Sequence, residues 1–150
     1  MSQWTPHATV ACVIEEDGRY LMVEERDKFS GEMVFNQPAG HLEEGESIEE
    51  AALRETLEET GWRIELRGVL GLTLYRAPKR GITYYRTTFI ARALGLVENA
   101  TLDPDIHAVH WLDYEEVLAL SARMRSPVTL AVIERYRQGV CHPLDLIHSL

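Results

Sequence analysis

Between Glu43 and Glu59 the chain carries eight glutamates and one arginine, a net charge of −7 in 17 residues. Three of those acids, Glu55, Glu58 and Glu59, stand at i, i+3 and i+4. On a helix that spacing makes them surface neighbours. Carboxylates this close repel one another, and the negative end of the helix dipole adds to the repulsion. No Lys or Arg follows them before Gly61. Such a group calls for something strongly positive. Hard divalent cations favour carboxylate and carbonyl oxygens, and Mg2+ binds one or two carboxylates together with substrate phosphates. The chemistry in prospect is metal-assisted reaction at phosphate. A competing reading is an acidic helix that docks on a basic partner, which predicts that all three glutamates face solvent. No EF-hand loop occurs, and the six histidines lack H-E-x-x-H spacing, so calcium-loop and zinc sites are disfavoured.

A helix must hold these acids. Ser47-x-x-Glu50 forms a capping box and Gly61 is a C′ residue, framing a helix over 48–60. At about 100° per residue, Ile48, Ala51, Ala52, Glu55 and Glu59 share one side, opposite Leu53 and Leu57. Two glutamates therefore sit in line with small apolar residues. The pattern predicts a helix wedged between layers, its carboxylates aimed at a partly covered cleft. Strands are expected over 8–14 and 20–23, joined by an Asp17-Gly18 hairpin turn. Further strands are expected over 33–37, 66–75, 83–94 and 107–112, with a turn at 78–81. Asp113-x-x-Glu116 caps a helix through about Ser121, and Ser126-Pro127 opens another that Gly139 closes. Strands, a helix, more strands, then two helices predict an α+β or α/β layering around a mixed or antiparallel sheet.

Composition sets the outer limits. The chain has 150 residues, 45% of them hydrophobic, which fits one domain over 1–150 with a real core. The net charge of −9 opposes binding to polymeric nucleic acid and to anionic lipid. That charge is local: residues 1–42 hold 7 acids and 3 bases, while 60–150 hold 9 acids and 11 bases. Cys12 lies in an apolar run and reads as a buried hydrophobe; Cys141 lies in a C-terminal loop. No signal-peptide pattern and no membrane-length apolar run is present, so the cytoplasm is the expected compartment.

Gly40, Glu46, Arg54, Glu55, Glu58, Glu59 and Gly61 match the pattern G-x5-E-x7-R-E-U-x-E-E-x-G-U. The chain therefore resembles the Nudix family. It departs from the pattern at Thr56, where a bulky aliphatic is usual, and Trp62 takes the second apolar position. The likeness extends to residues 7–14, to 35–42 with Ala39 in place of a second glycine, to 105–111 and to 125–144. It implies a Nudix-type α/β/α sandwich and Mg2+-dependent hydrolysis of small organic di- and triphosphates, with Mn2+ as an alternative ion. Nucleoside tri- and diphosphates and hydroxymethylpyrimidine pyrophosphate are the implied substrates. ADP-ribose hydrolysis and a non-catalytic binding module are the alternatives. By this resemblance Glu55, Glu58, Glu59 and the Gly40 carbonyl hold the metal, and Glu58 or Glu59 handles the attacking water. Arg54 and Glu46 fix the helix to its loop, and Asp103 and Asp105 lie where a loop acid can join. Phe35, Asn36, Gln37, Arg76 and Arg86 are the candidate substrate contacts. His41 and Arg125 are further residues to test, while Lys79 and Arg80 read as a solvated turn.

Overall fold

The computed structural model describes residues 2–150. Its elements run β1 His7–Glu16, β2 Arg19–Arg26, β3 Met33–Asn36, β4 Ala39–His41, α1 Ile48–Thr60, β5 Trp62–Arg76, β6 Thr83–Leu96, β7 Ile106–Asp113, α2 Tyr114–Ala119 and α3 Pro127–Arg137. The seven strands form a mixed sheet in which β1 is the pivot. Along residues 7–14 one edge of β1 pairs in parallel with β6, which pairs antiparallel with β5. The other edge meets β2 only at Glu15 and Glu16, and meets β4 at residues 9–11. β2 then pairs with β3 and β7. The two halves of the sheet are thus joined at the β1–β2 hairpin and diverge from it. Asp17 and Gly18 take φ of 51° and 78° in that turn, the left-handed values a two-residue hairpin loop requires.

Alternation along β1 builds two cores. Val10, Cys12 and Ile14 pack with Ala51 and Ala52 of α1, whereas Val13 packs with Val117 of α2 and Val132 and Ile133 of α3. Helices therefore cover both faces, giving the α/β/α sandwich. The 48–60 helix has its capping box and a left-handed Gly61 at the end, a cap worth about 1 kcal/mol. It is not wedged between two layers. Its buried side is Ala51, Ala52, Thr56, Glu59 and Thr60, while Leu53 and Leu57 are 40% and 39% exposed on the outer side. The small residues let α1 lie close to the sheet. Thr56 is accommodated because its hydroxyl donates to the Ala52 carbonyl at 2.9 Å.

Two local features were not legible. β4 is a three-residue strand just after Pro38, too short for a periodic pattern. α2 ends at Ala119, and a separate 3-10 turn spans Ser121–Arg123. Among the described residues no helix is long and apolar enough to cross a membrane.

Candidate active site

The helix acids differ in their surroundings. Glu59 is buried, and its Oε1 accepts the Ala39 N–H at 2.9 Å. Burial pushes its carboxyl well above the usual range, and Glu25, Glu55 and Asp103 push it further. Burial also raises Glu55, against the pull of Arg54. Glu58 keeps half its side chain in solvent. A Cβ on Gly40 would stand 2.1 Å from Glu55 Cδ, so only a glycine main chain fits against that carboxylate. Gly40 is held there by β4, paired with Val10 of β1.

Arg54 organises this end of α1. Its Nε and Nη2 donate to Glu46 at 2.9 and 2.7 Å, a bidentate pair. Nη2 also donates to the His41 carbonyl at 3.0 Å, and Nη1 to Glu55 at 2.8 Å and Glu58 at 3.1 Å. One guanidinium therefore ties the loop after β4 to the helix and offsets the crowding of two glutamates. The bonds from Arg54 hold the Glu46 carboxyl down at about 2.

Other acids reach the same place from outside the helix. The register of β2 against β7 shifts between Glu24 and Glu25, and Glu25 is buried in the cleft. The extra residue of that bulge is on β7, so Glu25 keeps the parity of Leu21 and Val23 and lies on the α1 side of β2. Arg125 donates to Glu25 at 2.7 Å, and its own N–H bonds the Phe35 carbonyl at 2.8 Å. The loop carrying Asp103 is fixed to α1 by the Asp103 N–H on the Glu58 carbonyl at 2.9 Å. Asp105 pairs with Lys28 at 3.1 Å.

The donor chemistry fits a hard divalent cation: carboxylates raised by burial and by one another, and a glycine main chain packed against one of them. Among the described residues no three acids, histidines or cysteines converge as a finished cage. Arg54 engages Glu55 and Glu58, and Glu59 is turned onto Ala39.

The cleft of about 740 Å³ that holds the acids is also lined by Arg86 and Asn36. Arg86 Nη2 donates to Gln37 at 3.0 Å and to Asn36 at 3.4 Å, and the Thr129 hydroxyl donates to the same Asn36 oxygen at 2.9 Å. Burial lowers Arg86 to about 10, which leaves it cationic at neutral pH. Gln37 lies behind this wall, nearly fully buried, and holds Arg86 in place. Two expected contacts fall elsewhere. Phe35 is on the opposite side of β3 from Asn36, in the core with Tyr20, Met22 and Leu70. Arg76 is exposed and off the cleft, because on β5 its neighbour Tyr75 takes the inward position. Arg80, expected in solvent, is instead largely covered and bound to Asp27 through both carboxylate oxygens at 2.7 Å. Burial pushes Cys12 up to about 12, which removes it as a nucleophile.

A NUDIX domain model matches residues 5–132. The chain belongs to the Nudix hydrolase family. It is 37% identical over 142 residues to phosphatase NudJ of Escherichia coli K12, covering 95% of this chain and 90% of that one. A NUDIX hydrolase from Nitrosomonas europaea superposes with a TM-score of 0.95 at 38% identity, over 97% of this chain and 98% of the other. An ADP-ribose pyrophosphatase from Streptococcus suis shares the fold at 19% identity and a TM-score of 0.66, over 89% and 93%. The protein is a Nudix phosphohydrolase. Nudix hydrolases generally use divalent metals.

Proposed function

We propose that this chain, acting as one domain in the cytoplasm, hydrolyses phosphoanhydride bonds of small organic di- and triphosphates with Mg2+, Mn2+ being the alternative. Nucleoside tri- and diphosphates and hydroxymethylpyrimidine pyrophosphate are the favoured substrates, supported by the 37% identity to phosphatase NudJ. The observation that carries the reading is the gathering of buried Glu59, half-buried Glu55 and cationic Arg86 in one cleft. Glu55, Glu58, Glu59 and the Gly40 carbonyl would hold the metal. When bound, Mg2+ supplies charge neutralisation and Lewis acidity at phosphate.

The residues divide the remaining work. Arg86, fixed by Gln37 and Asn36, binds and orients a phosphate. Such a preorganised donor stabilises the charge that builds on phosphoryl oxygens. Glu58 or Glu59 accepts a proton from the attacking water. A carboxylate raised by burial, as Glu59 is, is a better base near neutral pH than an exposed one. Arg54 keeps the Glu46 loop, and with it Gly40, in register with α1.

The test is phosphate or pyrophosphate release with Mg2+ across nucleoside di- and triphosphates, ADP-ribose, dinucleoside polyphosphates and hydroxymethylpyrimidine pyrophosphate. Turnover of the nucleoside or pyrimidine phosphates supports the proposal. Preference for ADP-ribose moves the substrate assignment, and no release from any member favours a binding module.

A further inference from the structure

One wall of the cleft plays no part in the chemistry above. The loop 27–32 between β2 and β3 and the loop 77–82 between β5 and β6 meet there. Arg80 joins them through Nη2, which donates to both Asp27 oxygens, with side chains only 15% and 10% exposed. The same guanidinium lies 4.2 Å over the centre of the Phe29 ring and reaches the Tyr84 hydroxyl at 3.5 Å. Tyr84 in turn sits edge-on to His7 at 5.8 Å, and His7 bonds His41 at 3.0 Å. Phe29, Arg80, Tyr84, His7 and His41 line the cleft that holds the acids.

Phe29 is the unusual member. It is 63% exposed, yet its loop is firmly tied. Asp27 accepts the Phe29 N–H at 3.2 Å and the Ser30 hydroxyl at 3.0 Å, and backbone bonds link Asp27 with Gly31 and Glu32. A large apolar ring in an ordered loop is being presented to the cleft. Arg80 covers one ring face, and most of the Phe29 side chain remains exposed. A planar base stacks favourably on such a ring, and the stacking tolerates any base because each has a π-face.

We propose that Phe29, backed by Arg80 and aimed by the Asp27–Arg80 pair, is the platform on which the aromatic ring of the substrate stacks. This deepens the phosphohydrolase reading, on which it rests for the phosphate half of the ligand. It selects phosphates that carry a planar heterocycle over those that carry a sugar alone. Phe29 makes the contact, and Arg80 and Asp27 position it. Lysine at 80 would keep the charge but lose the flat stacking surface.

The experiment compares equilibrium binding of AMP and CMP with that of ribose 5-phosphate, in Mg2+, for the full chain and its variants. Stacking on a protein aromatic is worth a gain of at least about fivefold, so the wild type should prefer AMP or CMP by that factor or more. Phe29→Ala, a change at an exposed side chain, should cut the preference to below about twofold, and Phe29→Trp should keep it. Arg80→Lys and Asp27→Asn should lower it while ribose 5-phosphate binding holds. Equal affinity for all three ligands in the wild type, including no measurable binding, overturns the proposal. So does a preference that survives Phe29→Ala. Hydrolysis of ATP and CTP, run in parallel, reports on the other reading: ring-selective binding without turnover defeats the proposed function and leaves the platform standing, and the reverse defeats the platform alone.

Discussion

Gly40→Ala should disable the enzyme without unfolding it. The new methyl would lie 2.1 Å from Glu55 Cδ and 2.3 Å from both of its oxygens. Carbon contacts settle at roughly 3.5–4.0 Å, so the carboxylate must retreat by about 1.5 Å. Gly40 has no positive φ, so alanine is not strained there, and a flexible side-chain end gives way more cheaply than the β4–β1 ladder. A displacement near 1 Å at a reacting site costs on the order of 100-fold, or about 2.7 kcal/mol of transition-state stabilisation. The expected result is a kcat down about 100-fold with a Tm within about 4 °C of wild type. Glu55→Asp shortens the side chain and makes room for the methyl. The double variant should therefore lose no more than Glu55→Asp alone, a strong departure from additivity. Steady-state kinetics and thermal melts on the four proteins decide it. Wild-type kcat in Gly40→Ala, or losses that multiply in the double variant, would refute the placement of Glu55.

Three other outcomes follow from the site. Arg54 depresses Glu46 from 4.5 to about 2. A depressed carboxyl stabilises the fold above 4.5 and loses that effect as pH falls toward 2, so the Tm deficit of Glu46→Gln should be full at neutral pH and vanish near pH 2. Glu59 is shifted the other way, so the metal-free protein should lose stability as pH rises above about 4.5. Glu59→Gln should reduce that slope in melts with chelator, leaving the part due to Glu25 and Glu55, and Mg2+ should raise the wild-type Tm more at pH 8 than at pH 5. Arg86→Lys keeps the charge but loses the held geometry on Gln37 and Asn36; kcat/KM should fall roughly 10–100-fold, the scale of one charged hydrogen bond.

What the sequence revealed follows from what is local. The acidic helix was legible because its caps, its three acids and its glycine are all specified within residues 40–61. The Arg54–Glu46 pair was legible for the same reason. The hairpins were marked by Asp17-Gly18 and by the 78–81 turn. Residues placed by long-range register were harder. Glu25 shares the parity of Leu21 on β2, but that this side faces the α1 acids is set by the sheet's long-range pairing. Phe35 and Asn36 are adjacent in sequence, yet one is core and the other is cleft wall, and only the pairing of β3 with β2 decides which. The same parity exchanges Tyr75 for Arg76. Arg80 looked solvated because its partner Asp27 lies 53 residues away. The two exposed leucines of α1 show a further limit: a 100° projection separates the sides of a helix without saying whether both are covered.

The central claim is that a divalent metal held by the α1 glutamates drives hydrolysis of small phosphoanhydrides. The most direct measurement is the rate of phosphate release from nucleoside triphosphates by the wild type and by Glu59→Gln, each with Mg2+ and with chelator. The account predicts turnover in the wild type with Mg2+ alone, and a loss of at least about 100-fold in the folded variant. Turnover that survives both chelation and Glu59→Gln would contradict it.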